Sequence, residues 1–166
     1  MISAAATVTM ETDEYTFDED SGTVAVCAEL TALAVSLECD VIATLTLMDG
    51  SKASKLDDLP PGVCCSYTVC YIALAAARNV DYGAVDPLSV TFSAQPFFLG
   101  ATACANVTII DDDALEGNHS FTVTVSSLEL SPGGMYSGLE IGMPSSATVN
   151  IMDNDGMIWH SEGDNC

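Results

Sequence analysis

The stretch Asn106–Val125 reads NVTIIDDDALEGNHSFTVTV, and its two ends carry one pattern. In the first, Val107 and Ile109 alternate with Asn106 and Thr108. In the second, Phe121, Val123 and Val125 alternate with Thr122 and Thr124. Period-two alternation, with threonine opposite valine, marks a strand that buries one face and wets the other. Between the two lie Asp111, Asp112, Asp113 and Glu116. Such a run belongs in a loop, where water solvates the charges or a cation joins them. The stretch therefore predicts two antiparallel strands linked by an acidic loop.

The same pattern recurs on both sides of it. Ser21–Leu30 sets Val24, Val26, Ala28 and Leu30 on one face, and Cys39–Gly50 sets Val41, Ala43, Leu45 and Leu47 there. Leu88, Val90 and Phe92 continue the series, and Ala147, Val149 and Ile151 close it. Strands at short spacing, separated by Gly, Pro, Asp and Ser, predict an all-β antiparallel sandwich. One segment breaks the rhythm. Lys52–Arg78 contains LPPG, the pair Cys64-Cys65, Cys70 and the apolar run Val69–Ala77, which reads as a buried strand or a short helix. It is expected to be a cysteine-rich insertion between two sandwich strands.

The 166 residues suit one domain with a sizeable core, and 49% hydrophobic against 16% charged residues is a packed composition. The charge is one-sided, with 24 acidic residues, three basic ones (Lys52, Lys55, Arg78) and a net charge of −21. That excludes nucleic acid and anionic membrane surfaces, which need Lys/Arg patches, and suits cations. No run of 18 apolar residues exists, so no membrane insertion is expected. The start, MISAAATV, lacks the features of an intact signal peptide, so the sequence is expected to be a mature part or a segment of something longer.

Seven cysteines (Cys27, Cys39, Cys64, Cys65, Cys70, Cys104 and Cys166) are disulfide candidates, and two sequons offer Asn106 and Asn118 to N-linked glycans. Together they point to an extracellular setting, secreted or on a cell surface. Alternation turns Cys27 and Cys104 away from the core. There they are expected to staple the insertion to the sheet or to bond a neighbouring chain. The odd count leaves one thiol over, assigned to Cys166. His119 and His160 have no triad or zinc partners and are expected at the surface. There is no phosphate loop, no Cys-x-x-Cys and no aromatic sugar cleft beside the carboxylates, so the protein is expected not to be an enzyme.

Acidic residues gather where strands end: in YTFDEDSG (Tyr15–Gly22), LMDGS (Leu47–Ser51), NVDYG (Asn79–Gly83), the triple aspartate, and MDNDG (Met152–Gly156). An antiparallel sandwich brings half of its loops to one pole, where clustered carboxylates repel unless a cation joins them. In this order the segments YTFDEDSGTVAV, DGSKA, VDY, LSVTFS, VTIIDDDALEGNHSFTVTV and ATVNIMDND resemble the Calx-β domain family, over about Tyr15–Asp155 with the insertion at Lys52–Arg78. The resemblance implies a seven-stranded immunoglobulin-like sandwich that binds Ca2+ at one pole. Members occur in sodium–calcium exchangers and in adhesion and matrix proteins. Carried onto this sequence, the implied ligands are Glu19, Asp49, Asp111, Asp112, Asp113 and Glu116, with Asp81 nearby. Gly83 and Asn118-His119 stand where the family often has acidic residues, so fewer or weaker sites are expected.

Residues 1–14 and 156–166 fall outside that span and are expected to be extensions. The alternating Ile2–Met10 would be a strand exchanged with a neighbour's sheet edge. Head-to-tail repetition of such a contact gives a homopolymer. The leading expectation is a glycosylated, non-enzymatic subunit or repeat of a self-assembling extracellular filament or matrix. The alternative is a calcium-binding module of an adhesion or surface protein.

Overall fold

The structure is a computed structural model, and it describes residues 6–33, 39–50, 74–75, 80–84, 87–94, 100–113, 117–131 and 138–155. Among the described residues the strands are β1 (Ala6–Met10), β2 (Glu14–Asp18), β3 (Thr23–Leu33), β4 (Val41–Asp49), β5 (Leu74–Ala75), β6 (Tyr82–Gly83), β7 (Leu88–Phe92), β8 (Ala101–Ile109), β9 (His119–Leu130), β10 (Leu139–Ile141) and β11 (Ser146–Met152). They form two sheets, ordered β10-β1-β3-β8-β6 and β2-β11-β9-β4-β7, with β5 beside β9. No described helix is long and apolar enough to cross a membrane.

Side-chain alternation builds the core between the sheets. Every residue assigned to an inward face above is buried, from Val24 and Val26 through Leu45, Val107 and Phe121 to Val149. Each valine, leucine, isoleucine or phenylalanine among them contributes about 1.5–3 kcal/mol on leaving water. Phe121 stacks on Tyr82, with ring centroids 4.0 Å apart.

Two irregularities keep the pattern in register. Between β4 and β9 the pairing runs from Thr44↔Ser127 to Leu45↔Val125, so Ser126 is an extra residue, a β-bulge. Its hydroxyl donates to the Thr44 carbonyl at 3.2 Å and accepts from the Thr46 hydroxyl at 2.8 Å. The bulge flips the parity of β9, so Leu128 and Leu130 pack on the core after Phe121, Val123 and Val125.

The second irregularity is the switch between β1 and β2. β1 pairs with β3 in one sheet, whereas β2 runs parallel to β11 in the other. Past Met10 the backbone of β3 therefore loses a full neighbour. The Glu11 N–H donates to the Cys27 carbonyl at 3.0 Å. The Tyr15 hydroxyl reaches over from β2, accepts from the Cys27 N–H at 3.0 Å and donates to its carbonyl at 3.2 Å. Burial holds the Tyr15 phenol above its ordinary pKa, so it keeps the proton it donates.

Several expectations are corrected here. Ala6–Met10 is no extension outside the domain. It lies between β10 and β3 of its own chain, with Ala6, Val8 and Met10 buried. Its alternation has the same period as the other strands, and the sandwich uses it. Taking β1 and β2 as halves of one strand that changes sheets at Glu11–Asp13, the described strands of five residues or more number seven. Cys27 and Cys104 neither staple the insertion nor reach a neighbour. They face each other in register across β3 and β8 and form a disulfide, with Cα atoms 4.0 Å apart. Both sit on the outer face because their strands are in phase. His119 is buried, not at the surface. Cys39 is a half-buried free thiol. Cys64, Cys65, Cys70, Cys166 and His160 lie outside the described residues, as does the insertion apart from β5.

Candidate metal centre

Pairing at one end of the sandwich decides which carboxylates meet. β2 and β11 run parallel with Phe17 beside Ile151 and Asp18 beside Met152. The next residue after each strand, Glu19 and Asp153, must therefore leave the sheet side by side. Glu19 opens a short 3-10 turn, Glu19–Ser21, which ends at Gly22 with φ 67° and leads back into β3. The Ile109 N–H donates to the Gly22 carbonyl at 2.7 Å, so β8 ends against this turn and sends Asp111, Asp112 and Asp113 to the same pole.

Asp153 organises the far side. Its Oδ1 accepts the Asp155 N–H at 2.8 Å, which folds the chain back after β11. Its Oδ2 accepts the Gly117 N–H at 2.6 Å, which ties the end of the acidic β8–β9 loop to the same turn. Gly117 has φ 84°, a conformation that favours glycine.

The result is a nest of three carboxylates. One oxygen each from Glu19, Asp153 and Asp155 lies within 4.8 Å of the others. Glu19 is buried although acidic, and Asp155 Oδ2 is buried with no hydrogen-bond partner. Burial, then Asp153, Asp112, Asp155 and Asp111, push the Glu19 carboxyl up to about 7. Burial and the charges of Asp153, Asp113, Asp111 and Asp112 raise that of Asp155. A hard divalent cation fits such a nest. It takes oxygen ligands from flexible loop ends, offsets the mutual repulsion and gives the orphaned oxygen a partner.

The sequence-assigned ligands divide into two groups. Glu19 belongs to the nest, and Asp111, Asp112 and Asp113 surround it as exposed residues whose charges act on it. Asp49 and Asp81 reach the same pole with other engagements. Asp49 Oδ1 accepts the Tyr82 hydroxyl at 2.5 Å, and Asp81 Oδ1 lies 2.5 Å from His119 Nδ1. Glu116 lies outside the described residues. Asp153 and Asp155 were missing from the assigned ligands. The signal was present in MDNDG, which repeats the strand-then-aspartates pattern of IIDDD. The sequons are placed differently: Asn106 is exposed on β8, and Asn118 is half-buried at the acidic pole.

The Calx-beta domain model matches residues 2–58 and 73–155, passing over the stretch between them. The chain belongs to the Calx-beta domain family. Among solved structures it is similar to the apo form of the Calx CBD1 domain, with a TM-score of 0.58 at 18% identity over 91% of this chain and 99% of that one. It is similar also to the Calx CBD2 domain, with a TM-score of 0.60 at 13% identity over 93% and 91%. A third is the calcium binding domain CBD12 of CALX1.1, with a TM-score of 0.53 at 19% identity, where this Calx-beta domain covers 46% of the longer chain. No curated protein sequence matches it. At these identities the structural likeness shows the fold, an all-β Calx-beta sandwich.

Proposed function

We propose that this Calx-beta domain is a calcium-binding module and not an enzyme. The observation that carries the reading is the nest of Glu19, Asp153 and Asp155, held within 4.8 Å by two parallel strand ends, with one buried oxygen unpartnered. One structural relative, the calcium binding domain CBD12 of CALX1.1, agrees with it. Asp111, Asp112 and Asp113 add negative charge beside the nest that would draw a cation to it. The Tyr82 and His119 contacts occupy one oxygen each of Asp49 and Asp81, which favours a single main site over a fully occupied cluster. The chemistry is binding: Glu19 after β2 and Asp153 and Asp155 after β11 would hold the ion, which would offset their repulsion and stiffen the pole.

An extracellular setting agrees with the Cys27–Cys104 disulfide. The filament reading has less support, because it relied on an N-terminal strand free to be exchanged. Thermal unfolding in excess Ca2+ and in EGTA tests the proposal. Ligand that binds only the folded state raises the midpoint by mass action, here for wild type and not for Asp153→Asn. Identical wild-type midpoints in the two solutions would refute it.

A further inference from the structure

We propose that Asn106, and not Asn118, is the position at which this chain takes an N-linked oligosaccharide. The inference is independent of the calcium reading. Both asparagines begin an Asn-x-Ser/Thr triplet, so the sequence alone cannot separate them. Their surroundings do.

Asn106 lies in β8, on the outer face of its sheet, and is exposed. Thr108, the third residue of its triplet, stands two positions on along the same face and is exposed as well. Their cross-strand partners on β3 are Ala25 and Thr23, both small and exposed. A sugar on the exposed Asn106 amide displaces none of the described residues. The same face carries the Cys27–Cys104 disulfide two residues away along each strand, a bond that belongs to the oxidising compartment where such sugars are added.

Asn118 is set among groups that a sugar would disturb. Before it, the Gly117 N–H is held by Asp153 at 2.6 Å. After it, His119 is buried against Asp81. Ser120, the third residue of that triplet, is half-buried and pairs with Asn150 of β11 and Ala75 of β5. A bulky glycan there would compete with the packing of the acidic pole.

The donor is an oligosaccharide linked to a polyprenyl pyrophosphate. A bond forms between Asn106 Nδ2 and the sugar's anomeric carbon. The bond from that carbon to the pyrophosphate oxygen breaks, the lipid pyrophosphate departs with the electron pair, and the amide gives up one proton.

The test is secretion of the full chain, behind a signal peptide, from a eukaryotic cell line. The secreted wild type, Asn106→Gln, Thr108→Ala and Asn118→Gln proteins are compared by gel mobility before and after peptide N-glycosidase, with peptide mass spectrometry for site occupancy. Wild type and Asn118→Gln should show the same glycosidase-sensitive shift. Asn106→Gln and Thr108→Ala should lose it while still being secreted. Secreted wild type without sugar at Asn106, or with its main occupancy at Asn118, would overturn the proposal.

Discussion

Replacing Cys27 and Cys104 together by alanine should lower the thermal midpoint by roughly 10–15 °C. The two residues are 77 apart in sequence yet face each other across paired strands. The folded chain loses little besides the bond itself, since β3 and β8 stay in register through their own backbone pairing. The unfolded chain gains freedom. Opening a closed loop of that length raises its entropy by roughly 15 cal/mol/K, or about 4.5 kcal/mol at room temperature. For a chain of 166 residues each kcal/mol moves the midpoint by about 2–4 °C. Circular dichroism of wild type and double variant, by heat and by urea, reads both quantities. The urea m-value should rise, because a chain without the crosslink exposes more surface when unfolded. A midpoint shift below about 2 °C with an unchanged m-value would show that the bond does not constrain the unfolded chain as the loop model requires.

Without calcium, stability should fall as pH rises from 4.5 to about 7, the ordinary and the folded-state values for Glu19. Across that window the folded chain holds a proton that the unfolded chain has released, so raising the pH favours unfolding. The contribution is complete below the lower value and gone above the higher one. Glu19→Gln should flatten that slope, as measured by urea unfolding at a series of pH values; an equal slope in the variant would show that another group sets it. Gly142→Ala should cost about 1–3 kcal/mol by overpacking, because the new Cβ would sit 2.6 Å from Thr7 Cγ2 and 2.8 Å from Thr9 Cγ2. Adding Thr7→Ser and Thr9→Ser removes both methyl groups and should restore most of the loss in the same urea assay. Tyr15→Phe should cost about 1 kcal/mol or somewhat more, since the Cys27 N–H loses its acceptor while its carbonyl keeps Glu11.

The sandwich was legible because period-two patterning is local. Val41 to Leu47 or Phe121 to Val125 declare their inner face without help from the rest of the chain. The acidic pole was legible for a related reason: each strand that ends in aspartates must deliver them to one end or the other. What could not be read was the pairing. That Glu19 meets Asp153 depends on β2 lying parallel to β11 with Asp18 beside Met152, a long-range register absent from either segment. The Cys27–Cys104 bond is the same kind of fact. His119 looked like a surface residue because nothing near it in sequence is its partner; Asp81 reaches it from a different loop. The strand Ala6–Met10 was visible as an alternation, but its place within the sandwich followed only from the switch of sheets at Glu11–Asp13 and from Tyr15, which closes the gap beside Cys27.

Calorimetric titration of Ca2+ into chelator-stripped protein, with Glu19→Gln and Asp153→Asn alongside, tests the metal-centre account most directly. The account predicts a saturable heat for wild type, with one main site, and an affinity at least about tenfold weaker in each variant, the equivalent of 1.4 kcal/mol. Wild type that gives no heat above dilution, or variants that bind as tightly as wild type, would contradict it.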